Sequence, residues 1–131
     1  MLDHVRSTQN SDKYPNLRGK RILVIEDDVV VAVDYHFQLR EVGAKPQAYE
    51  PTNQAALDYL ATHDVDAAIV DYVLRDGSCE PVLELLRTRE IPFVVISGCT
   101  FEIRNCPRSS CILTKPVTPA EVWQALSLVL H

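Results

Sequence analysis

The chain has 131 residues, of which 47% are hydrophobic and 24% are charged, and its formal net charge is -5 at pH 7. This length suits a single domain with a core of its own, and the composition is that of an ordinary soluble globular protein. A negative net charge argues against nucleic acid or an anionic membrane as the main partner, because both attract basic patches. The chain shows no apolar run long enough to span a membrane and no signal-peptide core, so we expect a cytoplasmic location.

Residues 1–18 are mostly polar and show no periodicity. We predict a flexible leader there and one domain over residues 19–131. The domain opens with Arg21 and the apolar run of residues 22–25, which stops in the three carboxylates of residues 26–28. An uninterrupted apolar run of this length is typical of a strand buried on both faces, as in a parallel sheet covered by helices.

After this strand, apolar residues at helical spacing predict an amphipathic helix that stops at Gly43. Its inward-facing residues are predicted to be Val31, Tyr35, Leu39 and Val42. A short strand is predicted over residues 45–49. The turn and cap residues 51–53 then precede a second helix, whose inward residues are predicted to be Ala56, Leu57 and Leu60.

Further apolar runs predict strands over residues 66–71, 91–96 and 111–114. A third helix is predicted over residues 81–89, with Val82, Leu85 and Leu86 facing inward. The last helix follows a capping box, Thr118 to Glu121, with Pro119 at the first helical position. Strands that alternate with helices predict an α/β domain built on a doubly wound, five-stranded parallel sheet.

Polar residues directly follow the predicted strands: Glu26 and Asp27, then Asp71, Ser97 and Lys115. Parallel strands place their carboxyl ends at one edge of a sheet, so these side chains can converge on one pocket. Taken singly, each also suits a cap, a turn or a solvated sheet rim. Together, the carboxylates suit Mg²⁺, while the lysine and the hydroxyl suit an anion. Such a site is equipped to accept a phosphoryl group.

The motifs at these strand ends resemble the receiver domain of two-component response regulators, which has a CheY-like, flavodoxin-like fold. The resemblance covers residues 19–131 and rests on residues 22–28, 69–77, 96–98 and 113–117. It implies a single-domain response regulator whose Asp71 accepts a phosphoryl group from a histidine kinase or a histidine phosphotransfer protein. It also implies signalling through an unknown downstream protein, and catalysis of its own phosphorylation and dephosphorylation only.

The same resemblance implies roles for the other residues of the site. Mg²⁺ would be held by Glu26, Asp27, Asp71 and the backbone carbonyl of Val73. Ser97 matches the switch hydroxyl of the family, and Lys115 matches the lysine that pairs with the phosphate.

Three features depart from the common family pattern. Ile112 stands where many receivers carry an aromatic residue. The chain from Ser97 to Lys115 is about one helical turn shorter than is usual, so we predict a short or missing fourth helix. Residues 91–98 resemble a subgroup with a PFxxxTG-type fourth strand, which contains stand-alone receivers that work with HWE-type histidine kinases. Serine replaces threonine in this chain.

Two alternative functions stay open. The first is a receiver-like interaction module that is not phosphorylated, although Asp71 and Lys115 are both present. The second is a haloacid-dehalogenase-type phosphatase, which would carry a second carboxylate two residues after its nucleophile, where this chain has Val73. The four cysteines form no CxxC pair, so we expect thiols without a redox or metal role.

Overall fold

The structure, a computed structural model, describes residues 13–98 and 110–130. Within these ranges the strands are β1 (Arg21–Ile25), β2 (Lys45–Glu50), β3 (Ala67–Asp71), β4 (Val73–Leu74), β5 (Gly77–Ser78), β6 (Phe93–Ser97) and β7 (Ser110–Thr114). The α-helices are α1 (Val29–Glu41), α2 (Asn53–Thr62), α3 (Glu80–Thr88) and α4 (Pro119–Val129), and a short 3-10 helix covers Pro15–Leu17.

Five of the strands form one parallel sheet in the order β2-β1-β3-β6-β7. Strands β4 and β5 form a separate antiparallel hairpin in the connection between β3 and α3. This sheet order is that of the flavodoxin-like fold, in which ligands bind at the carboxyl ends of the strands on either side of the reversal in strand order. The predicted doubly wound five-stranded sheet is confirmed. The predicted short or missing fourth helix concerns residues 99–109, which lie outside the described residues.

Apolar layers cover both faces of the sheet. In β1, Ile22 and Val24 face the layer that contains α1 and α4, whereas Leu23 and Ile25 face the layer that contains α2 and α3. All four side chains are fully buried. Burial on both faces is the physical reason for an apolar run without alternation, and each such side chain contributes roughly 1.5–3 kcal/mol.

Helix α1 begins at a side-chain cap, because the carboxylate of Asp28 accepts hydrogen bonds from the backbone N–H groups of Val30 and Val31. The predicted inward stripe of this helix is wrong at its first member: Val31 is 38% exposed, and Ala32 is fully buried instead. Eight helical residues turn by roughly 800°, which places Val31 about 80° away from Leu39 around the axis, whereas Ala32 is only about 20° away.

The other helices follow the prediction more closely. The capping box is present, with Thr118 and Glu121 bonded reciprocally. In α3, Leu85 was predicted to face inward but is only half-buried, whereas Leu83, which was not predicted, is fully buried. No helix in residues 13–98 or 110–130 has both the length and the apolar character needed to cross a membrane.

The fold starts before residue 19, the predicted start of the domain. Leu17 is fully buried in the same core layer as Trp123 of α4. The side-chain amide of Asn16 donates a hydrogen bond to the carbonyl of Ser127 at 3.0 Å. A single buried residue in a polar stretch gives no periodic pattern, which is why Leu17 was predicted to belong to the leader. Residues 1–12 of that leader lie outside the described residues.

Of the cysteines, the structure describes Cys79 and Cys111, and neither forms a disulfide. Burial raises the pKa of the Cys79 thiol to about 12. A buried thiol that stays protonated is a poor nucleophile and a poor metal ligand. Cys99 and Cys106 lie outside the described residues.

Candidate functional site

Three carboxylates meet at the carboxyl ends of β1 and β3. One oxygen from each of Glu26, Asp27 and Asp71 lies within 4.8 Å of the other two. Glu26 and Asp71 are buried, and Asp27 is half-buried. Charges of one sign this close repel one another, and a bound divalent cation relieves the repulsion. An all-oxygen set of carboxylates fits Mg²⁺, which is typically held by one or two carboxylates together with waters and phosphate oxygens.

Glu26 shows the electrostatic cost of this arrangement. Burial raises the pKa of Glu26 to about 7, and the nearby charge of Asp71 adds to the rise. The backbone N–H of Asp28 donates to a carboxylate oxygen of Glu26 at 3.1 Å, and this hydrogen bond lowers the pKa of Glu26. Without a cation, the cluster therefore keeps a proton up to neutral pH.

We expect the metal-free domain to lose stability as the pH rises through 7. The pKa of Glu26 is about 7 in the fold, against 4.5 for an unperturbed glutamate. The folded state therefore binds this proton more tightly, so the contribution to the free energy of unfolding is complete below pH 4.5 and is lost as the pH rises through 7. A Mg²⁺ ion held by these carboxylates would compete with the same proton, so its affinity should rise with pH. Melting curves and calorimetric titrations at several pH values test both trends.

The matched control for this pH dependence is Glu26→Gln, which keeps the shape of the side chain and removes its titration. Both trends should flatten in this variant. An unchanged pH dependence would show that another group is responsible.

The hydroxyl and the lysine complete the edge of the sheet. Ser97 is buried at the end of β6, opposite Thr114 of β7. The backbone N–H of Lys115 donates to the carbonyl of Ser97 at 2.8 Å. The Lys115 ammonium lies 3.3 Å from a carboxylate oxygen of Asp71. Since the side chain of Lys115 is 52% exposed, its ion pair with Asp71 adds little to the stability of the fold. The flexible side chain of Lys115 can also move with a group that binds at Asp71.

Val73, the predicted backbone ligand, is the first residue of the β4–β5 hairpin that follows Asp71. Its side chain is 62% exposed and points away from the core, so only its main chain is suited to a ligand role. The guanidinium of Arg75, in the same hairpin connection, donates to the backbone carbonyl of Asp27 at 3.3 Å. Arg75 was not among the predicted site residues, because a single basic residue in a turn carries no pattern.

A cleft of about 810 Å³ opens beside the carboxylates, between the first turns of α1 and the connection from β7 to α4. Val30 and Val31 line its α1 side, and Pro116 and Val117 line the opposite side. Val30 is 78% exposed. We call these two exposed valines of α1 the apolar rim of the cleft. The sequence prediction assigned Val31 to the core and missed this rim, although three consecutive valines exceed what one inward face needs.

No protein-family model matches the chain, and no curated protein sequence does either. Solved structures do match. SdrG from Sphingomonas melonis Fr1 is 32% identical, over 86% of this chain and 98% of SdrG, with a TM-score of 0.71. A response regulator receiver protein from Sinorhizobium medicae WSM419 is 25% identical, over 87% of this chain and 96% of that one, with a TM-score of 0.77. The chain belongs to the family of response regulator receiver domains.

The REC domain of the response regulator PhyR from Erythrobacter litoralis shares the receiver fold at 22% identity. The match covers 86% of this chain and 91% of that domain, with a TM-score of 0.75. The match to SdrG, at 32% identity, confirms the predicted family. Receivers are signalling proteins rather than classical enzymes, and the acidic cluster lies where the fold places its ligand.

Proposed function

We propose that this receiver accepts a phosphoryl group on Asp71, in a Mg²⁺-dependent reaction, from a histidine kinase or a histidine phosphotransfer protein, and that it signals by contact with another protein. One observation carries the proposal. The buried carboxylate of Asp71 belongs to the all-oxygen acidic cluster, and one of its oxygens lies 3.3 Å from the ammonium nitrogen of Lys115. With a cation held by the cluster, Asp71 would have positive charge on two sides, which suits phosphoryl transfer because that reaction depends mostly on positioning and charge neutralisation.

The reaction proposed for the site is an in-line displacement. A carboxylate oxygen of Asp71 forms a bond to phosphorus while the P–N bond of a phosphohistidine breaks, and the departing imidazole nitrogen takes a proton from solvent. Asp71 then no longer carries its own charge, so Lys115 can shift its ion pair to a phosphoryl oxygen. The Ser97 hydroxyl can donate to another phosphoryl oxygen.

Glu26, Asp27, Asp71 and the carbonyl of Val73 would hold the Mg²⁺, which when bound neutralises charge on the phosphoryl oxygens. Incubation with acetyl phosphate and Mg²⁺ tests the proposal: intact-protein mass spectrometry should show one added, acid-labile phosphate. No addition to a folded protein would favour the alternative of an interaction module that is not phosphorylated.

We propose that the apolar rim formed by Val30 and Val31 receives the phosphodonor protein. The rim borders the cleft that contains Asp71, and a phosphohistidine must reach that carboxylate from outside. An apolar contact next to the reacting groups would position the donor.

Replacing Val30 by aspartate should slow phosphotransfer from the cognate kinase by about tenfold or more, the size expected for loss of one well-packed interface contact. Labelling by acetyl phosphate, which needs no protein docking, should persist. The matched control is Leu128→Asp in α4, because Leu128 is 68% exposed and does not line the cleft. Equal slowing by both variants would exclude a specific role for the rim.

We also propose a kinase subgroup and a cellular location for this receiver. The first is membership of the subgroup that works with HWE-type histidine kinases, which residues 91–98 support through their sequence pattern. Phosphotransfer profiling against purified kinases tests it. The second is a cytoplasmic location, which fractionation of the source cells tests.

A further inference from the structure

A buried amide joins the start of α2 to the hairpin that carries Val73. Asn53 is only 6% exposed, and its side chain makes three hydrogen bonds. The amide nitrogen donates to the carboxylate of Asp76 at 3.1 Å and to the carbonyl of Ser78 at 2.8 Å. The amide oxygen accepts from the backbone N–H of Val82 at 3.3 Å. Both donors and the acceptor are therefore used, as a buried amide requires.

Asp76 adds a second attachment between the same two elements. Its carboxylate accepts hydrogen bonds from the backbone N–H groups of Asn53, at 2.9 Å, and of Gln54, at 3.2 Å. These groups belong to the first turn of α2, where backbone donors have no partner within the helix and a negative charge is favourable. The hairpin thus caps a helix that is distant from it in sequence.

The attached residues lie next to the proposed backbone ligand. Ser78 stands opposite Val73 in the β4–β5 pair. The backbone N–H of Cys79 donates to the carbonyl of Tyr72 at 2.7 Å and closes the base of the hairpin. On its other side, the hairpin reaches the carbonyl of Asp27 through Arg75. A displacement at Ser78 would therefore carry Val73 with it.

We infer that Asn53 and Asp76 are positioning residues that hold the carbonyl of Val73 at the metal site. The inference rests on the proposed function, in which that carbonyl is a Mg²⁺ ligand. A backbone carbonyl has no side-chain torsions of its own, so only the contacts of its loop can aim it. Loss of a partner that orients a metal ligand typically weakens metal binding by about 10- to 100-fold.

A matched set of variants tests this role. Asn53→Ala removes all three side-chain bonds, and Asp76→Ala removes the acceptor from an exposed position, so it carries the test if Asn53→Ala does not fold. Thr52→Ala is the control, because Thr52 caps α2 by accepting from the N–H of Ala55 at 3.0 Å and has no bond to the hairpin among its side-chain contacts. The measurements are amide hydrogen exchange across residues 72–79 without metal, and Mg²⁺ affinity by calorimetry.

Asn53→Ala and Asp76→Ala should speed exchange at the Cys79 amide and weaken Mg²⁺ binding by about tenfold. Thr52→Ala should lower the melting temperature and change neither quantity. Wild-type affinity and exchange in both Asn53→Ala and Asp76→Ala would overturn the inference and leave the proposed function standing. An equal change in Thr52→Ala would also overturn it, since general helix stability would then be the cause. Failure of the wild type to bind Mg²⁺ would end the proposed metal site itself.

Discussion

Replacing Asp71 by asparagine is expected to abolish phosphoryl uptake while the domain stays folded. The substitution keeps the size of the side chain and removes the charged nucleophile, and an amide oxygen attacks phosphorus poorly. Asp71 is the member of the acidic cluster that lies 3.3 Å from the ammonium of Lys115. Intact-protein mass spectrometry after incubation with acetyl phosphate and Mg²⁺ measures the uptake, and circular dichroism verifies the fold.

The control for this substitution is Asp58→Asn in α2. Asp58 is exposed and accepts a hydrogen bond from the side chain of Gln54 at 2.9 Å. This variant loses the same formal charge far from the carboxylate cluster and should take up phosphate as the wild type does. Phosphate bound to Asp71→Asn at the wild-type level would mean that another residue is the acceptor.

The second large effect is expected for Mg²⁺ binding in Asp27→Asn. Asp27 supplies one of three carboxylate oxygens that lie within 4.8 Å of one another, and it is half-buried. In the proposed Mg²⁺ site Asp27 would be a ligand, so its replacement would remove a charged ligand atom and not merely a residue that orients a ligand. The affinity for Mg²⁺ should therefore fall by more than the roughly 10- to 100-fold that loss of an outer partner costs. Isothermal titration calorimetry at constant pH measures this loss.

Asp28→Asn is the matched control, because Asp28 is the next residue in the chain and carries the same charge. Its side chain caps α1 by accepting from two backbone N–H groups, and asparagine is an equally good helix cap. This variant should lose only the modest, salt-screened attraction of one nearby charge. If the two variants lost equal affinity, net charge rather than coordination would govern the binding.

The position of the site could be predicted from local features of the chain. Residues 22–25 form an uninterrupted apolar run, and burial on both faces of a sheet is the structure that such a run favours. The polar residues that follow the strands, such as Asp71 and Lys115, then had to meet at one edge, because parallel strands end there. The capping box at Thr118 is likewise local, since its two partners are three residues apart.

Contacts between distant segments were decided by the tertiary structure alone. Asn53 and Asp76 are 23 residues apart, and either one by itself reads as an ordinary cap or turn residue. Leu17 is buried because α4 offers it a surface, and Val31 is exposed because the helix turns it toward the cleft. Periodicity and capping describe how a segment interacts with itself. Which surface covers a side chain depends on elements that only packing brings together, and these contacts support the site.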